Sequence, residues 1–401
     1  MIKTQTLKGF RDFLPVDAIN RQLLIGKMKS VFERFGFDPL ETPALEYAET
    51  LMGKYGEEAD KLLYLFEDNG KRNVGLRYDQ TVPASRVVAQ YGQEIPLPFK
   101  RYQIQPVWRA ENTQKGRYRE FLQCDIDTFG EASYIADAEI IAVIYAVMQE
   151  LGFESFKILI NDRSLFGDIP AGAILTIDKL AKIGPEGVKQ ELSKKGFDPM
   201  MLDTVRNNKP SVLIREILTL LPSLGVPSTA LQFDPTLARG LDYYTSTILE
   251  VSVDDYKAGS VGGGGRYDNL IGQFTGKPMP AVGFAFGFDR LLEAMTEANL
   301  LTARKTATQL FVTVFSPALF ASSLSLVSQL RDAGIPAETS LDASQKLEKQ
   351  LKYADRKGIP YVIIQGPEEQ KKNVVQLKNL MAKTQEEVGI EDVITRLTRE
   401  A

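Results

Sequence analysis

Residues 101–130, RYQIQPVWRAENTQKGRYREFLQCDIDTFG, constrain the fold more than any other stretch. In 101–109, Arg101, Gln103, Gln105 and Arg109 share one face with Val107, while Tyr102, Ile104, Pro106 and Trp108 share the other. In 121–129, Gln123, Asp125 and Asp127 share a face flanked by Phe121 and Phe129, and Leu122, Cys124 and Ile126 fall opposite. Side chains alternate with period two along a strand, so each run has an apolar and a polar side. Residues 110–119 are too charged to pack, which suits an antiparallel hairpin with a long loop reaching into solvent. The polar face carries arginines at one end and carboxylates at the other. A solvated face with surface ion pairs is one reading. The other is a floor for a ligand bearing both phosphate and a cation, since Arg grips phosphate with two parallel hydrogen bonds.

The rest of the chain has to decide between them. At 401 residues it is long enough for two or three domains. There is no run long enough to span a bilayer and no signal-peptide core near Met1, so no membrane partner is expected. The one cysteine, Cys124, lies on an apolar strand face, which fits a reducing cytoplasm. With a net charge of −4, any nucleic-acid partner must be held by local basic patches. The chain contains no histidine, which excludes a Ser-His-Asp triad, an imidazole base and histidine-ligated zinc. Its chemistry must use Arg, Asp, Glu, Tyr and the groups of the substrate.

Leu24, Met28, Val31, Phe32 and Phe35 recur at helical spacing, predicting a helix over 21–35 that Gly36 closes. Two prolines make 37–43 an edge or interface strand. Asn69-Gly70 closes a hairpin of 63–66 with 74–77. Asp79 reads first as the cap of the helix that follows. A helix over 133–151 and a strand over 156–160 come next. Helical patterns over 167–224, broken at Gly184-Pro185, Gly196 and Pro210, suggest an insertion between strands. Residues 231–271 are strand-rich, and 280–295 pass from strand or turn into a helix. Beyond a polar linker at 302–308, strands at 310–315, 361–365 and 374–377 alternate with helices at 318–333 and 347–356. That alternation predicts a small C-terminal α/β domain with a largely parallel sheet.

Gly262, Gly263, Gly264 and Gly265 fit no dinucleotide fingerprint, and residues 272–278 fall one residue short of a P-loop. Four glycines in a row still let a backbone approach a ligand; taken alone they read as a flexible hairpin connection. Arg290 falls in the first turn of an apolar helix, where a cation is disfavoured unless an anionic ligand sits there too.

Together, 32–43, the hairpin 101–130 and 283–292 resemble motifs 1, 2 and 3 of class II aminoacyl-tRNA synthetases. Residues 237–245, LARGLDYYT, and 264–268, GGRYD, are similar to the two signatures of the histidyl-tRNA synthetase family. The resemblance covers nearly the whole chain. It implies an α+β catalytic domain on an antiparallel sheet over 1–301, carrying the helical insertion, and an anticodon-binding α/β domain over 308–401. It implies ATP and Mg2+, histidine and tRNA(His) as partners, and a homodimer with Pro43 at the interface. Arg109 should clamp the α-phosphate and the histidine carboxylate, Arg239 the α-phosphate, and Arg290 the γ-phosphate side. Phe121 should stack on adenine with Glu111 near its amino group and Arg117 also on ATP. Asp79, Thr81 and Gln123 should hold the amino and carboxylate end of histidine, with Asp127, Tyr243, Tyr244 and Tyr267 around the imidazole. Asp79 and Asp127 stand where many bacterial members carry Glu, which shortens the reach by one methylene.

The implied first step is attack of a carboxylate on the α-phosphorus of ATP. The nucleophile is already an anion, so a chain without histidine can perform it, provided arginines gather the anions. Lys349, Lys352 and Arg356 share a helical face beside Lys357 and are expected to meet tRNA phosphates. The competing reading is a paralogue, the regulatory subunit of ATP phosphoribosyltransferase, which generally lacks the anticodon-binding domain and loses catalytic residues. A generic RNA-binding module leaves the arginine–carboxylate face unexplained.

Overall fold

A computed structural model describes residues 3–53, 62–113, 117–239, 243–254, 256–301 and 304–399. Two compact units emerge, one of residues 1–12 and 24–301, the other of 13–23 and 302–401. In the first unit the strands are β1 (Asp38–Pro39), β2 (Leu45–Tyr47), β3 (Leu65–Glu67), β4 (Asn73–Leu76), β5 (Phe99–Trp108), β6 (Glu120–Phe129), β7 (Phe156–Asp162), β8 (Leu231–Phe233), β9 (Thr247–Val253), β10 (Gly262–Arg266) and β11 (Ala281–Gly287). Among the described residues, eight of them form one sheet in the order β1-β5-β6-β11-β10-β9-β7-β8. Only the two outer pairings, β1 with β5 and β7 with β8, are parallel. The antiparallel sheet that the resemblance implies is therefore present, and the proline-containing β1 takes an edge. β2, β4 and β3 make a small separate sheet.

One face of the large sheet is sealed by helices. Tyr102, Cys124, Ile126, Phe284 and Phe286 pack with Met28 and Phe32 of the first helix, Pro15–Arg34, and with Ile140, Ile144 and Val147 of the helix Tyr134–Glu150. Each such fully buried side chain stabilises by about 1.5–3 kcal/mol. Ser133 caps that second helix, its hydroxyl accepting from the Ile135 amide at 3.2 Å. Arg266, at the end of β10, reaches the buried Asp137 of the same helix (Nε to Oδ2, 3.1 Å) and the Glu131 carbonyl (2.9 Å). The C-terminal end of β10 is thereby tied to the helix start.

The insertion is helical: Ala171–Ile177, Leu180–Lys194, Met200–Arg206 and Val212–Leu220. Gly184 adopts φ +70° and kinks Leu180–Lys194, at the break the sequence marked with Gly184-Pro185.

The second unit carries β12 (Leu310–Val312), β13 (Ala337–Thr339), β14 (Tyr361–Ile364), β15 (Val374–Asn379) and β16 (Thr384–Gly389), in the order β13-β12-β14-β15-β16. Helices Phe320–Asp332 and Leu347–Lys357 complete the α/β alternation. The sheet is mixed rather than largely parallel: β12 is parallel to β13 and β14, but β14–β15 and β15–β16 are antiparallel. The connection from Ile364 to Val374 is shorter than the crossover a parallel pair needs, so β15 turns back on β14, and β16, TQEEVG, whose first four residues are exposed, adds a further antiparallel strand. A strand solvated along most of its length shows no apolar alternation to read. The linker expected at 302–308 lies partly outside the described residues; Thr306 within it is buried.

Candidate active site

The other face of the large sheet is polar, and register explains how. β5 and β6 pair Arg101 with Asp127, Gln103 with Asp125 and Gln105 with Gln123. On the far side of β6, β11 sets Gly283 beside Asp127, Ala285 beside Asp125 and Gly287 beside Gln123. β10 then sets Gly263 beside Ala285 and Gly265 beside Gly283. Small residues thus floor a cleft of about 420 Å³. The four glycines are not a flexible connection but a strand inside the sheet. A Cβ on Gly263 would lie 1.4 Å from Arg239 Nη1, so the guanidinium occupies the space that the missing side chain leaves.

Arg109, Arg239 and Arg290 all line this cleft, with Glu111, Arg117 and Phe121. Arg109 follows β5; its Nε donates to the Tyr78 carbonyl at 3.2 Å, and its guanidinium carbon lies 4.3 Å from the Tyr78 ring centroid and 5.0 Å from that of Phe121. Arg290 Nη1 donates to the Ser260 carbonyl at 2.9 Å, from the first turn of the helix Phe288–Glu297. Arg239 pairs with Glu250 at 3.1 Å and holds φ +43°. A non-glycine residue in that region stores about 1–3 kcal/mol, typical of a side chain held by its site. Glu111 and Arg117 make a loose rim pair at 3.5 Å. Loop residues 114–116 lie outside the described residues, as do Gly240, Leu241 and Asp242 of the first signature.

A second, buried group adjoins the cleft through Gln123. Asp127 is 3% exposed; its Oδ1 accepts from the Tyr267 hydroxyl and its Oδ2 lies 2.5 Å from Arg101 Nη2. Tyr243 contacts Tyr244 and Tyr267, ring centroids 4.7 and 5.7 Å apart. Burial raises the Asp127 carboxyl to about 6, against the opposing pull of Arg101 and the Tyr267 hydrogen bond. Burial pushes Asp125 well above the ordinary carboxylate range, and Tyr243 and Tyr267 well above that of a phenol. Asp79 accepts from the Val82 amide at 3.2 Å, so it does cap the helix Thr81–Tyr91 as the plainer reading held; it also bears electrostatically on Asp125 and Asp127. Thr81 is buried beside it and accepts the Ser85 hydroxyl on its carbonyl.

Sequence reasoning did not single out Glu250, Asp178 or Arg11. The first two line the cleft, and burial raises both carboxyls. Arg11 pairs with Asp289 at 2.9 Å and lies 3.3 Å from the Tyr118 ring centroid. No motif marks these positions, because each is far in sequence from the residue it meets.

The antiparallel sheet and its arginine-bearing polar face are those expected of a class II aminoacyl-tRNA synthetase. The sequence profile of histidyl-tRNA synthetase matches residues 9–184 and 200–291, and that of an anticodon binding domain matches 309–400. The chain is similar to the histidine–tRNA ligase of Rhodopirellula baltica, 40% identical over 425 residues and covering 97% of this chain and 96% of that one. Against the histidine–tRNA ligase of Cytophaga hutchinsonii it is 38% identical over 453 residues, covering 99% and 100%. The crystal structure of histidyl-tRNA synthetase from Nostoc sp. PCC 7120 superimposes with a TM-score of 0.88, at 31% identity and full coverage of both chains. The chain belongs to the histidyl-tRNA synthetase family.

Proposed function

We propose that this protein activates histidine with ATP and transfers it to the 3′ end of tRNA(His). The observation that carries the reading is that β6 serves both groups from one face: Gln123 lines the arginine-bearing cleft, and Asp125 and Asp127 follow it at two-residue steps. A histidine carboxylate oxygen attacks the α-phosphorus, and pyrophosphate leaves. Arg109 and Arg239 hold the α-phosphate and carboxylate, and Arg290 holds the γ-phosphate side. Phe121 stacks on adenine, with Glu111 near its amino group and Arg117 at the rim. A ribose hydroxyl of tRNA then attacks the acyl carbon, and AMP leaves. Positioned cations are what the first step needs, because charge grows on phosphate oxygens.

Asp79, Thr81 and Gln123 take the amino end of histidine, and Asp127, Tyr243, Tyr244 and Tyr267 take its ring. A buried site built to pair ring N–H groups rejects analogues that leave it unpaired, by roughly 10⁴-fold. Mg2+ would accompany ATP and offset the charge of its phosphates.

Residues 1–301 form the catalytic domain and 308–401 read the anticodon. The protein acts in the cytoplasm as a homodimer through the segment around Pro43. Leu45, Tyr47, Leu65 and Phe66 on the neighbouring small sheet are each 42–53% exposed, as a surface awaiting a partner would be. The regulatory-subunit reading is disfavoured by the presence of Arg109, Arg239 and Arg290 and of the C-terminal domain. Charging of tRNA(His), but of no other tRNA, with labelled histidine tests the proposal. Absence of charging by protein that binds both histidine and ATP would overturn it.

A further inference from the structure

Arg101 belongs to none of the assigned contacts, yet its side chain is fully buried. Its Nη1 donates to Gln103 Oε1 at 3.2 Å, and Gln103 Nε2 in turn donates to Thr42 Oγ1 at 2.8 Å and Gln105 Oε1 at 2.6 Å. Gln105 Oε1 also accepts from Arg77 Nη1 at 2.8 Å. A polar row along β5 therefore fixes where the Arg101 guanidinium stands, and its Nη2 meets Asp127 Oδ2 as a close ion pair without hydrogen-bond geometry. On the opposite side Asp127 is confined by Gly283, where a Cβ would lie 1.9 Å from Oδ1. A guanidinium buried at this depth is retained at a large desolvation penalty. A Leu or Met would fill the same strand position without one, so the charge calls for a reason beyond packing.

We infer that Arg101 is a positioning residue for histidine selection: with Tyr267 it fixes the orientation of the Asp127 carboxylate, and it keeps that carboxylate charged for the substrate ring. This rests on the function proposed above. The groups facing Asp127 are Arg101 from β5, Tyr267 after β10, Tyr244 before β9, Asp79 before the helix Thr81–Tyr91, and Asp125 two residues along β6. Among the described residues neither oxygen of Asp125 has a hydrogen-bond partner. Burial holds the Asp125 carboxyl well above the ordinary range although Arg101 pulls it down, whereas Asp127 also has the close ion pair with Arg101. Without Arg101, burial and the carboxylates would push Asp127 above about 6, and the anion would form only at higher pH.

The test is pyrophosphate–ATP exchange by the full chain and its Arg101→Met and Arg101→Lys variants, with KM measured separately for histidine and ATP across pH. Wild-type exchange with histidine comes first; its absence would count against the proposed function rather than against this inference. Arg101→Met is expected to raise the histidine KM roughly tenfold or more with the ATP KM held. The acid limb of kcat/KM for histidine should move up by about one pH unit or more. Free histidine titrates identically in both assays, so the difference reports the enzyme. Arg101→Lys should fall between the two, since an ammonium cannot address Gln103 and Asp127 with the same planar geometry. Parallel rises in both KM values, or an unmoved acid limb, would reduce Arg101 to a sheet residue and overturn the inference. If Arg101→Met does not fold, Arg101→Lys decides: an unchanged histidine KM overturns the inference.

Discussion

Replacing Gly263 with alanine should disable catalysis while leaving the fold intact. The added Cβ would sit 1.4 Å from Arg239 Nη1, 1.9 Å from Cζ and 2.5 Å from Nη2. Ordinary contact between such atoms is about 3.5 Å, so the guanidinium must retreat by roughly 2 Å. That far exceeds the misplacement of about 1 Å that can cost 10²-fold in an oriented reaction. Loss of one positioned donor corresponds to about 2.7–4 kcal/mol, or 10²–10³ in kcat. The stability effect is of another order. The obstructing atoms are the end of a flexible side chain, and the Arg239–Glu250 pair is partly exposed, contributing about 0–1 kcal/mol. A Tm within about 4 °C of wild type is expected. Gly264→Ala is the contrast: its Cβ would meet the Gly283 carbonyl oxygen at 2.1 Å and Phe284 Cα at 2.6 Å, backbone inside the sheet that cannot retreat, so the fold should fail. Pyrophosphate exchange and thermal melting read both variants. A Gly263→Ala protein with kcat within about threefold of wild type would refute the placement of Arg239 in the transition state.

Asp127→Asn should abolish histidine-dependent exchange, and it leaves the buried Arg101 guanidinium without its counter-charge. The folded carboxyl sits near 6, above its unfolded value of about 3.8, so its contribution is fully present below pH 4 and is lost as pH rises through 6. Urea titrations should therefore show wild-type stability falling between pH 4 and pH 8 by on the order of a few kcal/mol, a slope that Asp127→Asn lacks. Phe121→Ala should raise the ATP KM with little change in that for histidine, as steady-state exchange will show; an unchanged ATP KM would remove it from the adenine site. Arg266→Met leaves Asp137 buried without its partner and should destabilise by about 3–5 kcal/mol in urea unfolding. Reversing Lys349 and Arg356 to Glu should raise the tRNA KM and flatten its salt dependence without altering pyrophosphate exchange.

The hairpin that dominates the site was legible because its period-two pattern is long and its polar face is chemically biased; β5 and β6 fall within two residues of the expected strand ends. The helical insertion was legible from its glycine and proline breaks. Arg101 and Asp125 were visible as members of the polar face, but nothing local distinguishes a charge that lines a pocket from one that supports it. That distinction needs the register of β6 against β5 and β11. The glycine strand was unreadable alone, because its reason is the Arg239 side chain more than twenty residues earlier. In the C-terminal unit, β16 escaped because a solvated strand of TQEEVG carries no apolar period.

Exchange of labelled pyrophosphate into ATP without tRNA, run with histidine and with each other standard amino acid, reads activation and selection together. Exchange with histidine alone is the expected result and would place activation and selection in one site. Exchange with several amino acids, or none from folded protein that binds histidine, would contradict it.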